Sequence, residues 1–129
     1  MQRKEDEKQV TYQAIVLLEG TDPSKVATEM VMAGMTVLHQ YNPKSNSYVG
    51  SYEAGEFTKH WDSWVKDNEL RQEVFYSDSI ETMMEVAYMA GDTESIPVNA
   101  FDEDSTVLVL GPFTASRLDF FTSNYFNKK

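Results

Sequence analysis

No cysteine occurs in this chain of 129 residues, which excludes disulfides and thiolate metal sites and fits a reducing compartment such as the cytoplasm. Histidine is nearly as scarce, with His39 and His60 the only two. Neither has a serine or cysteine at motif spacing, so a histidine-based triad finds no support, and two lone imidazoles do not make a zinc site. Long apolar runs are missing as well: the longest are about six residues, against the roughly 20 a membrane-spanning helix needs. The first residues, Met1 to Lys8, carry charge with no apolar stretch behind it. They read as a polar lead-in over 1–8 and not as a signal peptide.

Basic residues are outnumbered. Eleven Lys and Arg face 21 Asp and Glu, for a net charge of −10. Non-specific nucleic-acid binding depends on basic surface that releases counterions, so RNA would need a local patch here. An acidic, solubility-favouring surface is the plainer reading. Phosphate-loop and dinucleotide-binding fingerprints are absent. What is present is core material: 41% hydrophobic residues, two Trp, seven Phe and seven Tyr. That suits one folded domain over residues 9–127.

Two segments at opposite ends stand out. Gln13 to Leu18 reads as a buried strand that runs through Gly20 into a helix opening near Lys25, and Thr106 to Leu110 reads as a second buried strand. Strands apolar on both faces are the mark of a buried parallel sheet, and ligands in open α/β sheets sit at the strands' carboxyl ends. Lys25 and Thr106 are therefore candidate site residues if the two strands are neighbours.

Between them, Thr21 or Asp22 offers an N-cap and Pro23 suits the first helical position. Val26, Met30, Ala33, Val37 and Tyr41 then follow at helical spacing through Gly34. This predicts one long helix; ending it at Gly34, with a strand over Met35 to Tyr41, is the rival reading. Asn42 to Gly55 reads as a loop and Glu56 to Lys66 as a helix, with Phe57, Trp61 and Trp64 on one side. These aromatics, with Tyr52, read more readily as core than as a base-stacking platform. Gln72 to Tyr76 is a strand. Asp78 caps a third helix with Glu81 at the capping-box position, and Gly91 stops it. Ile96-Pro97-Val98 is extended, its proline favouring an edge. The last strand covers Ser105 to Leu110 and halts at Gly111-Pro112, before a helix from Thr114 to Phe121. The order β-α-α-β-α-β-β-α predicts an α/β fold: a small mixed β-sheet with helices on both faces.

The residues at both ends resemble the type II peptidyl-tRNA hydrolase family. That family's helix opening, Gly-Lys-hydrophobic-Ala-Ala-Gln, is matched by Ser24-Lys25-Val26-Ala27-Thr28-Glu29, and its Thr-Val-Leu-x-Ile-Gly-Pro by Thr106 to Pro112. Trp61 and a helix opening Asp-Ser-Ile-Glu fit in order between them. The resemblance implies cleavage of the ester between a peptide and tRNA, with no metal or organic cofactor. It would place Lys25 and Thr106 where they stabilise developing charge. It also exposes departures. Asn99 stands where the family's Asp-Ala-Gly-Arg-Thr motif has its catalytic aspartate, the arginine and threonine have no counterpart, and the tail histidine gives way near Asn124. Asp102 or Asp104 would then supply the base, unless Asp102-Glu103-Asp104 is simply a solvated turn. Thr106, likewise, suits a strand start whatever its function. The alternative is a non-catalytic acidic binding protein on the same scaffold, engaging a protein partner.

Overall fold

A computed structural model describes residues 10–41 and 59–128, and for 34–41 the backbone alone. The polar lead-in, the expected loop Asn42 to Gly55, the start of the second helix, Tyr52, Phe57 and the side chain of His39 lie outside the described residues. The first strand, β1, is Thr11–Leu18. Asp22 rather than Thr21 caps the first helix, its Oδ1 accepting the Ser24 N–H at 2.8 Å. That helix, α1, runs unbroken over Pro23–Tyr41, so no strand begins after Gly34. Residues 59–62 are helical and continue into a π-helical turn, Ser63–Asp67; we call this segment α2. Then come β2 (Gln72–Ser77), α3 (Ile80–Tyr88), a π-helical turn Met89–Thr93, β3 (Val107–Thr114) and α4 (Ala115–Tyr125).

The strands form one mixed sheet in the order β2-β1-β3. β1 runs parallel to β2, from Gln13 beside Gln72 to Leu18 beside Ser77. Against β3 it runs antiparallel, with Leu17 beside Val107 and Thr11 beside Thr114. The two apolar end strands are thus neighbours, but not a parallel pair. Both are apolar on both faces because helices cover both faces, and that condition is indifferent to strand direction.

Alternation along the strands divides the core in two. Ile15, Val107 and Val109 pack on Ala33, with Val26 and Met30 of α1 beside them. Tyr12, Ala14, Val16, Leu108 and Leu110 face the other way, onto Met83 and Val86 of α3 and Leu118 and Phe121 of α4.

Several boundaries differ from the sequence reading. Ser79, not Asp78, caps α3: its extended backbone lets Oγ accept the Thr82 N–H at 3.2 Å. Gly91 does not stop the helix but lies within the π-helical turn. The chain leaves at Ser95, whose φ is +59°. Gly111 and Pro112 do not end the last strand either. Gly111, at φ +97°, absorbs a bulge between Tyr12 and Ala14 of β1, and β3 continues to Thr114. α4 consequently starts at Ala115 and extends to Tyr125.

Among the described residues, one further bridge flanks each outer strand. Asn127 and Tyr76 exchange main-chain hydrogen bonds of 2.7 and 2.9 Å on the β2 side. Val98 bridges Leu110 on the β3 side.

Candidate functional site

The segment from Ser95 to Thr106 gathers most of the candidate residues. Ile96 is tied back to the π-helical turn after α3 through its N–H to the Ala90 carbonyl, and the Pro97 carbonyl accepts the Gly111 N–H at 2.8 Å. Asn99 then donates its own N–H to the Val109 carbonyl at 3.4 Å. At this point the main chain leaves β3 and the side chain replaces it. Asn99 Oδ1 accepts the Val109 N–H at 2.8 Å, while Nδ2 donates to the Val107 carbonyl at 3.0 Å. A carboxamide supplies a donor and an acceptor in the spacing of a peptide group, so it extends the ladder where backbone is lacking. Asn99 is 7% exposed and both ends of its amide are engaged.

A turn follows. Ser105 donates its N–H to the Asp102 carbonyl, and Asp102 Oδ1 accepts from the Asp104 N–H at 2.9 Å and from Ser105 Oγ at 3.2 Å. This is the self-bonded aspartate turn that stabilises a loop without any ligand. Asp104 and Glu103 are exposed.

Thr106 restarts the ladder, its carbonyl accepting the Leu18 N–H at 2.9 Å. Its N–H donates to Glu29 Oε1 at 2.7 Å, fastening α1 to the mouth of β3. The Thr106 hydroxyl is buried and has no hydrogen-bond partner among the described residues. Antiparallel pairing is what brings the start of β3 to the carboxyl end of β1.

Glu29, Ala33, Asn99, Asp102, Asp104 and Val107 are among the residues lining a cavity of about 420 Å³ between α1 and this segment. It therefore unites Asn99, Asp102 and Asp104. Lys25 and Thr106 are not part of its lining. Lys25 is exposed on the first turn of α1, and alternation from Leu108 turns the Thr106 side chain toward the α3 and α4 face. Among the described residues, no Lys, Arg or His lines the cavity, so nothing there offsets an oxyanion or a phosphate. Its three carboxylates suit a basic side chain instead, although among the described residues no group of three acids is placed to hold a metal ion. A second cavity, about 400 Å³ and mostly apolar, opens at the carboxyl ends of β1 and β2, lined by Leu17, Gly20, Val26, Met30 and Tyr76 among others.

Trp61, Trp64 and His60 pack inward and offer no base-stacking platform. Trp64 is 5% exposed and donates Nε1–H to the Arg71 carbonyl at 2.8 Å, with Trp61 edge-on to it. His60 is buried against the Phe113 ring.

Sequence reasoning passed over Glu29 as a site residue. The signal was an acid among hydrophobic helix positions, but its target, a main-chain N–H 77 residues away, is set only by the fold. No protein-family model matches this chain, and no curated protein is significantly similar to it.

Proposed function

We propose that this chain is a diverged relative of the type II peptidyl-tRNA hydrolase family whose site binds a protein partner and no longer cleaves an ester. One observation carries the reading. The residue at the position of the family's catalytic aspartate, Asn99, is buried with both ends of its carboxamide bonded to β3. An amide in that arrangement takes no proton and activates no water. The neighbouring Asp102 is occupied within its own turn, and the cavity these residues share is acidic throughout its ionisable lining. Polyanionic tRNA is a poor match for such a surface, whereas a basic protein segment is a good one.

Support for the relationship to the family is the order of elements and the direct pairing of the two ends that carry the resemblance. A second reading, residual hydrolysis, draws on the exposed Asp104 carboxylate in the cavity beside Asn99. A turnover assay with a peptidyl-tRNA analogue separates the two. The binding reading expects wild type and Asn99→Asp to be inert while folded by circular dichroism, with no tRNA bound at low salt. Turnover by the wild type that Asp104→Asn abolishes would establish the hydrolase.

A further inference from the structure

We infer that the groove between α3 and residues 98–101 docks an extended, basic peptide segment of a partner protein. The inference rests on the binding reading above and assigns the partner a site on the other side of Asn99 from the acidic cavity. The groove, about 430 Å³, is lined by Met84, Tyr88, Gly91, Asp92, Val98 and Phe101 among others. Its apolar floor is open to water: Met84 is 39% and Tyr88 65% exposed, one helical turn apart on α3.

Two features say what fits there. The first is charge. Glu81 and Glu85 stand three residues before Met84 and Tyr88 on the same helix, and Asp92 lies in the groove; all three are exposed. Among the described residues no Lys or Arg lines the groove. Acid along the α3 bank disfavours nucleic acid, an anionic membrane or a second copy of this chain, and favours Lys or Arg flanking an apolar anchor. The second feature is backbone. Because Pro97 and Asn99 make the hydrogen bonds to β3, the Val98 N–H and C=O point away from it and have no partner among the described residues. An added strand pairs with such an edge while its alternate side chains enter the pocket beside it.

The probe is a synthetic octapeptide, acetyl-Lys-Val-Lys-Leu-Lys-Val-Lys-Val-amide, titrated into the full chain and followed by amide NMR and by fluorescence anisotropy. Saturable binding is expected, with the largest shifts at Tyr88, Val98 and Phe101 and slowed exchange of the Val98 amide. Tyr88→Ala, at an exposed position, should weaken binding by about tenfold. Asp92→Asn or a rise from about 50 to about 500 mM salt should weaken it too. A peptide with Glu for Lys should not bind. Shifts clustering at Glu29, Ala100 and Ser105 would overturn this groove as the site while leaving a protein-binding function standing. Absence of saturable binding, or affinity unmoved by Tyr88→Ala, overturns the inference. The reading beneath it fails separately, on peptidyl-tRNA turnover.

Discussion

Asn99 and Val109 hold each other twice: the Asn99 N–H donates to the Val109 carbonyl, and the Val109 N–H donates to Asn99 Oδ1 at 2.8 Å. The side chain also reaches the Val107 carbonyl. A carboxylate at this position keeps the acceptor, loses the donor and adds a buried charge. Asn99→Asp is therefore expected to lower stability by about 1–3 kcal/mol at neutral pH, read from urea midpoints. Burial raises the folded pKa of the new carboxyl above its unfolded value, so the variant should regain stability as pH falls through the carboxylate range. A variant as stable as wild type at neutral pH would show that the amide does not hold this edge.

Two glycines with positive φ make an internal contrast. A Cβ on Gly20 (φ +84°) meets nothing within 4 Å among the described residues, whereas one on Gly111 (φ +97°) lands 2.9 Å from the Tyr12 carbonyl oxygen and 3.0 Å from the Phe113 nitrogen. Gly20→Ala should cost about 1–2 kcal/mol, the left-handed backbone penalty alone. Gly111→Ala should cost at least about 3 kcal/mol, since main-chain atoms cannot step aside. Equal losses in thermal melts would remove the close approach from the account.

The cap of α3 is similarly testable. Ser79→Ala removes the acceptor of the Thr82 N–H and is expected to cost about 1 kcal/mol. The exposed Asp78→Ala should stay within about 0.5 kcal/mol. Chemical denaturation reads both, and a larger loss from Asp78 would restore the capping box expected from sequence.

Glu73 should contribute to acid sensitivity. Its hydrogen bond from Lys128, at 2.9 Å, lowers its pKa against the opposing effect of burial, and Arg71 adds to the lowering. A depressed folded pKa gives stability that is present above the unfolded value, near 4.5, and lost as pH falls below it. Lys128→Ala should raise the Glu73 pKa in a carboxyl NMR titration and shrink the acid-dependent part of the melting curve. A Glu73 titration unchanged by that substitution would contradict the pairing. Because both cations are exposed, the effect should fade in high salt.

How far the chain could be read unaided depended on whether the determining contact was local. α1 was legible through Gly34 because periodicity and the cap at Asp22 lie within the helix itself. The two-sided cover of the sheet followed from apolar strands alternating with amphipathic helices. Strand direction was not legible: β1 and β3 owe their composition to being covered, and covering is the same in either direction. Gly111-Pro112 looked like a stop because its tolerance inside a strand depends on the Tyr12 carbonyl lying against it. Asn99 looked like a missing acid, since nothing in its neighbours tells that β3 runs alongside.

The buried side chain of Gln13 joins all three strands, accepting from Gln72 Nε2, 59 residues onward, and donating to the Gly111 carbonyl, 98 residues onward. The strand that everything else needs is thus made first and completed last. Helices can form on their own schedule, but the central strand must wait for two distant partners, and closing such long loops is slow. Refolding should accordingly run in milliseconds to seconds, with helical circular dichroism appearing before the Gln13 amides gain protection from exchange.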